Sequence, residues 1–170
     1  MNNKEYFDNI TRNEEKDISE LAKIHCDALF LPLKEDMYPN GLKRQREIFD
    51  YRDILCDKLR PGQFDGVTTV VKALFDLTQP DHAYFGEKDF QQLKIIQNLT
   101  EKLHLNVKIH ACSSVRLKNG MSLSSRFNNF SLNDKRVFNE CAYQISLLIK
   151  KLKNDINNVN LKDFKSELQQ

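Results

Sequence analysis

The sequence predicts an α/β protein, a parallel sheet covered by helices that gives way near residue 112 to a small α+β piece. Three observations carry this expectation. Apolar residues recur at helical spacing over Val67, Val70, Val71, Leu74 and Phe75, and again over Phe90, Leu93, Ile96, Leu99 and Leu103. Strand-length runs, Ala83-Tyr84-Phe85 and Val107-Lys108-Ile109-His110, follow those helices in turn. Helix, strand, helix, strand is the rhythm of βαβ units, whose parallel strands need a helical crossover. After Ala111 the rhythm stops, and Asn119-Gly120 signals a hairpin.

The first element is a helix that Asn13 can cap, with Glu14, Glu15 and Asp17 at the positive end of its dipole. Ile18, Leu21, Ala22 and His25 offer one face to a neighbour. Ala28-Leu29-Phe30-Leu31, stopped by Pro32, has the length of a buried parallel strand. Met37-Tyr38-Pro39-Asn40-Gly41 has the chemistry of a turn. Ile48-Phe49-Asp50-Tyr51 reads as a weak strand and Asp53 to Leu59 as a short helix ending before Pro61-Gly62. The Val67–Phe75 helix is closed by Pro80, and Gly86 breaks the strand before it. Ser131, with Asp134 three residues on, opens a helix to about Lys153 whose core face is Val137, Cys141, Ile145, Leu148 and Leu152. A last short helix starts near Lys162, and no internal repeat is present.

Composition narrows the function. The 170 residues, 40% hydrophobic and 29% charged, are enough to build a core and exclude wholesale disorder. No apolar run reaches the ~20 residues of a membrane span, and the polar opening Met1–Glu5 does not have the form of a secretory leader. A soluble, cytoplasmic protein with no membrane partner is expected. Twenty-six basic against 24 acidic residues leave +2, too balanced to imply nucleic acid. Lys150-Lys151-Leu152-Lys153 reads as a solvated helix face. Cys26, Cys56, Cys112 and Cys141 lie far apart with no C-x-x-C, so buried thiols in a reducing compartment are expected, not zinc or disulfides. His25 and Cys26 are adjacent and point apart on a helix, so they form no catalytic pair. His25, His82, His104 and His110 read as structural or surface residues.

Two polar clusters and one arginine are candidates for chemistry. Gly86-Glu87-Lys88-Asp89 lies where a strand turns into a helix, at the edge where open parallel sheets bind ligands. A glycine that allows close approach, free N–H groups at a helix start and a mobile lysine suit a phosphate; a plain strand-to-helix turn is the alternative. Ser124-Ser125-Arg126 combines two hydroxyls and a guanidinium, the chemistry of a phosphate clamp or of a solvated loop. Arg60, before the rigid Pro61-Gly62 turn, either reaches an anion or covers apolar surface. Neither a P-loop nor a Gly-x-Gly-x-x-Gly pattern occurs.

Taken together the motifs are more specific. Arg60-Pro61-Gly62-Gln63-Phe64-Asp65-Gly66-Val67, then Gln79 through Leu93 with Gly86-Glu87-Lys88-Asp89-Phe90-Gln91-Gln92-Leu93 at its centre, then Val115-Arg116 and Gly120 through Arg126, closely resemble the pantothenate synthetase (pantoate–β-alanine ligase) family. Asp36-Met37-Tyr38-Pro39 falls where that family carries a similar Met-Tyr-Pro. The resemblance implies a partial Rossmann-like nucleotidyltransferase sheet over residues 1–112 and a small C-terminal lid domain over 113–170. It implies ATP-dependent joining of pantoate to β-alanine through a pantoyl-adenylate, with Mg²⁺. Carried over by position, Gly86, Glu87, Lys88, Asp89, the backbone of Val115, Leu123, Ser124, Ser125 and Arg126 would bind ATP, and Gln92 would bind pantoate. Lys88, Ser124, Ser125 and Arg126 would stabilise the charge that develops on the phosphates. Asp17 is the acidic residue left near the expected magnesium position, and a homodimer is implied.

The departures are specific too. The family's opening strand and Met-Gly-x-Leu-His-x-Gly-His loop, and a Gln that holds pantoate and β-alanine, have no counterpart here, and the far C-terminus is shorter. Gln63 replaces a His, Phe127 an Asn, Lys16 an acidic residue, and Ile10-Thr11-Arg12-Asn13 a Tyr-Pro-Arg-Thr. Two readings therefore stand: part of a longer enzyme, or a truncated and inactive relic that binds nucleotide or oligomerises. Without the opening segment a strand edge and an apolar helix face would be exposed, which invites association. An RNA-binding role on the same fold is opposed by the balanced charge and the lack of a stacking pattern.

Overall fold

The computed structural model describes residues 14–41, 50–51, 53–124, 127 and 130–154. Asn13, Ile48, Phe49 and the helix expected from Lys162 lie outside them. The chain forms two compact units, residues 1–42 and 43–170.

In the first unit, α1 (Glu14–Lys23) has three acidic residues in its first turn and Lys23 in its last, the arrangement its dipole favours. Lys16 and Glu20 form an i,i+4 ion pair at 3.8 Å. The expected apolar face is not covered: no residue of α1 is buried, and Ile18 stays 42% exposed. The chain leaves α1 through His25, whose φ of 56° lies in the left-handed region that ends many helices. Ala28–Leu31 is not the buried strand expected. Leu29, Phe30 and Leu31 are exposed, and no described strand pairs with them. A strand is made by its neighbour's hydrogen bonds, which an apolar run cannot supply alone. A short helix α2 (Lys34–Met37) follows that the periodicity did not reveal, its entry held by the Leu33 N–H donating to the Asp36 carboxylate at 3.0 Å. The turn at 38–41 is as expected, the Gly41 N–H donating to the Tyr38 carbonyl at 3.0 Å.

The second unit contains the βαβ element. After α3 (Leu55–Leu59), Gly62 at φ +80° starts α4 (Gln63–Thr78), and β1 (His82–Gly86) follows. A 3-10 turn (Glu87–Asp89) leads into α5 (Phe90–Lys102), which returns the chain to β2 (Lys108–Cys112). The strands pair in parallel, His82 opposite Lys108 and Gly86 opposite Cys112. Ile95, Ile96 and Leu99 of α5 are fully buried, and Ile95 meets Phe64 of α4 with Val67 packed beside them. Each such side chain contributes about 1.5–3 kcal/mol on burial.

Two helix faces differ from expectation. On α4 the buried residues are Phe64, Asp65, Thr68 and Thr69, while the valine stripe is partly covered and Val70 is exposed. The threonines can be buried because their hydroxyls donate back to the helix, Thr68 to the Phe64 carbonyl at 2.9 Å and Thr69 to the Asp65 carbonyl at 2.5 Å. Phe75 still meets Phe85 of β1 edge-on, ring centroids 6.5 Å apart. On α5, Phe90 is exposed and Ile95 takes a core place.

The hairpin forms as Asn119-Gly120 indicates, with Arg116 bridged antiparallel to Ser122. Ser131 caps α6 (Leu132–Asn154) by accepting the Asp134 N–H at 3.1 Å. The core face expected on α6 is met at Leu148 and Leu152, which are partly covered, and displaced before them. Val137, Cys141 and Ile145 are exposed, and the partly covered residues include Asn139, Ala142 and Ser146. The hairpin explains the shift: Asn119 donates to the Asn139 side chain at 2.7 Å, and Gly120 lies against Ser146. All four cysteines are free and exposed, correcting the expectation of buried thiols. Among the described residues no helix is long and apolar enough to cross a membrane.

Candidate functional site

Because β1 and β2 run parallel with Gly86 opposite Cys112, both strands end at one edge of the sheet. The chain leaves that edge twice, once through Gly86–Asp89 into α5 and once through residues 113–124 along the hairpin. Ligands of open α/β sheets gather outside such carboxyl ends.

The first exit is short. Gly86 is extended, with φ −71° and ψ 134°, so its backbone does not itself demand glycine. A Cβ there would meet nothing within 4 Å, which leaves its backbone open to close approach. Glu87, Lys88 and Asp89 are exposed on the 3-10 turn, which runs straight into the first turn of α5 at Phe90. Gln92 lies in that first turn and is half-buried.

The second exit is stiffened by its own hydrogen bonds. The Leu123 N–H donates to the Val115 carbonyl at 3.1 Å and the Leu117 N–H to the Met121 carbonyl at 2.8 Å. The Arg116 guanidinium caps the Gly120 carbonyl at 2.9 Å. Val115 and Leu123 expose their side chains, and the carbonyl of half-buried Ser124 accepts the Phe127 N–H at 3.1 Å. Ser125 and Arg126 lie outside the described residues.

Arg60 closes α3 with an exposed side chain, immediately before Pro61-Gly62. Asp17 is exposed on the first turn of α1, in the other unit. Among the described residues no group of three or more His, Cys, Asp or Glu side chains could hold a metal ion.

Sequence reasoning missed the supports of the site. The Gln91 carboxamide donates to the Tyr51 carbonyl at 3.1 Å and the Ile54 carbonyl at 2.9 Å, and accepts the Cys56 N–H at 2.9 Å. It ties the 51–56 segment to the helix that starts at the site. Asp53 and Leu55, at φ 58° and 48°, are in the left-handed region, a conformation that persists only where neighbours enforce it. Asp57, buried, accepts the Asp53 N–H at 2.9 Å. Two to three turns further along α5, Asn98 and Lys102 hold Asp50: the Asp50 N–H donates to Asn98 at 3.0 Å, and its carboxylate takes bonds from Asn98 and Lys102. The Lys102 bond is the main cause that holds the Asp50 carboxyl below the ordinary aspartate value. The sequence signal for Gln91 was its adjacency to Gln92. Successive helical residues point about 100° apart, so two glutamines in a row serve two directions.

The family model described as pantoate-beta-alanine ligase matches residues 1–170, the whole chain. The chain belongs to the pantoate-beta-alanine ligase family. Among its relatives, the pantothenate synthetase of Buchnera aphidicola subsp. Acyrthosiphon pisum is 45% identical over 138 residues, covering 80% of this chain and 47% of the relative. That of Cellvibrio japonicus is 44% identical over 134 residues, covering 78% and 47%. The chain thus spans about half the length of the curated relatives it matches. Its fold is shared with solved structures. A pantoate-beta-alanine ligase from Thermus thermophilus matches with TM-score 0.83 at 31% identity, over 95% of this chain and 58% of that one. One from Francisella tularensis, complexed with beta-gamma ATP and beta-alanine, matches with TM-score 0.74 at 33% identity, over 93% and 58%. The mixed α/β architecture with a parallel sheet is therefore that of the pantoate-beta-alanine ligase family, as the sequence motifs implied.

Proposed function

We propose that this chain carries the ATP-handling part of a cytoplasmic pantothenate synthetase, an ATP-dependent ligase that condenses pantoate with β-alanine. The observation that supports it is the common carboxyl edge: Gly86–Asp89 and the segment leading to Ser124 leave neighbouring parallel strands side by side. Family membership and the ligands of the Francisella tularensis structure agree with that reading.

In the proposed reaction a pantoate carboxylate oxygen attacks the α-phosphorus of ATP, and the bond to pyrophosphate breaks. The β-alanine amine then attacks the adenylate carbonyl, the C–O bond to AMP breaks, and the nitrogen loses a proton. Charge grows on the phosphates in the first step, where Lys88, Ser124, Ser125 and Arg126 stabilise it. Gly86, Glu87 and Asp89 line the phosphate turn, the Val115 backbone meets the adenine, Leu123 belongs with Ser124, Ser125 and Arg126 to the segment that grips the phosphates, and Gln92 orients pantoate. Arg60 is a further anion contact. Mg²⁺ would accompany the triphosphate and screen its charge, and Asp17 is the carboxylate that the family resemblance offers for it. Residues 1–112 form the binding domain and 113–170 the lid, and the protein works as a homodimer.

Calorimetric titration with ATP tests this. Lys88→Ala should weaken ATP about tenfold or more, since a charge-assisted hydrogen bond is worth about 1.5–3 kcal/mol. Unchanged affinity in Lys88→Ala and in Arg126→Ala counts against the site. AMP release that depends on both pantoate and β-alanine reports turnover. A second reading, a nucleotide-binding or oligomerising module without turnover, is favoured by the exposed Leu29–Leu31 run. It predicts ATP binding with no AMP.

A further inference from the structure

The face of the sheet opposite Phe85 carries a pair of histidines that the ligase reading does not use. His82 of β1 and His110 of β2 lie on one face, because His82, Tyr84 and Gly86 alternate with Ala83 and Phe85, and His110 pairs with Tyr84. Their facing nitrogens, His82 Nδ1 and His110 Nε2, are 2.9 Å apart, with ring centroids 5.0 Å apart. The Tyr84 ring stacks on His110 at 4.8 Å and 16°, covering one face of that imidazole.

We propose that His82 and His110 form a two-nitrogen chelating site for a divalent transition metal such as Ni²⁺ or Cu²⁺. The bite decides the geometry. With metal–nitrogen bonds of about 2.0–2.1 Å, two ligands at a right angle stand about 2.9 Å apart, whereas tetrahedral ligands stand about 3.4 Å apart. The observed separation fits the right-angled bite of square-planar or octahedral Ni²⁺ and Cu²⁺, ions that imidazole suits. In the metal-free chain the same separation serves an N–H···N hydrogen bond. To take up an ion, the shared proton moves to the far nitrogen of its ring and the two rings turn, so that the lone pairs facing each other across the hydrogen bond converge on the metal. Water fills the remaining positions, since no third His, Cys, Asp or Glu joins the pair among the described residues. Lys108, opposite His82 on the same face, is the charge that opposes the ion. Cys112, two residues beyond His110, is exposed on that face and is the competing donor.

Ni²⁺ alone is the probe, titrated calorimetrically into the reduced full chain in a non-coordinating buffer. His82→Ala and His110→Ala should each weaken Ni²⁺ at least tenfold, the loss of a second donor already held in place. His25→Ala, His104→Ala and Cys112→Ser should leave it unchanged. Affinity that survives both His82→Ala and His110→Ala, or that disappears with Cys112→Ser, overturns the proposal. A second measurement needs no variant. Substoichiometric Ni²⁺, being paramagnetic, should broaden the ring protons of His82, Tyr84 and His110 before those of His25 and His104; broadening in the reverse order overturns the proposal equally. Neither readout involves ATP or turnover, so the outcome is independent of the ligase reading.

Discussion

Gly120 shows how one residue can join two elements. At φ +88° it adopts a conformation that costs an L-residue about 1–2 kcal/mol. A Cβ added there would stand 2.9 Å from the Ser146 Cβ of α6, closer than real contacts allow. Gly120→Ala should therefore destabilise the chain by about 2 kcal/mol or more in urea unfolding. Ser146→Gly on that background should recover the contact part and leave the conformational part. Asp50 makes a prediction in pH. Its carboxyl is held below the aspartate value of 3.8, first by the Lys102 hydrogen bond. A depressed folded pKa contributes stability above 3.8 that is lost as pH falls through the lower folded value. The link to α5 should thus be complete at neutral pH and weaken only in acid, and Lys102→Met should return the Asp50 carboxyl titration, followed by NMR, toward 3.8. The charged and hydroxyl residues proposed for the site rest on their types, which match phosphate chemistry. Gln91 was not legible, because its work is three hydrogen bonds to backbone groups remote in sequence.

At the scale of elements the helical period was the most legible signal and the choice of face the least. The helices at 63–78, 90–102 and 132–154 are where spacing and capping put them, and the two paired strands are within two residues of expectation. Which stripe is covered depends on what arrives from elsewhere in the chain. Thr68 and Thr69 are buried on α4 because back-bonding satisfies their hydroxyls. On α6 the hairpin selects Asn139, Ala142 and Ser146 over Val137, Cys141 and Ile145. The Ala28–Leu31 run was read as a strand from its length alone, and strand formation needs a partner that length does not report. The helix that matters most to stability is α5, whose Ile95, Ile96 and Leu99 are fully buried. Leu99→Ala should cost about 2–5 kcal/mol in chemical denaturation. A loss below about 1 kcal/mol would mean that this core is not the cooperative one.

For the molecule as a whole, little charge opposes self-association. The net charge is +2, and Leu29, Phe30, Leu31, Val137, Phe138, Ile145 and Ile149 are exposed. Sedimentation velocity should give a weight-average mass above 19.9 kDa that rises with concentration. Val137→Lys with Ile145→Lys should lower it, and a single 19.9 kDa species at every concentration would exclude association. The exposed thiols have a practical consequence. Cys112 is opposite Gly86, where the chain turns towards Lys88. With serine at positions 26, 56 and 141, an environment-sensitive dye on that single sulfur would sit beside the Gly86–Asp89 turn, the proposed phosphate contact. Its emission during mixing would then time the arrival of a nucleotide directly, with no coupled assay.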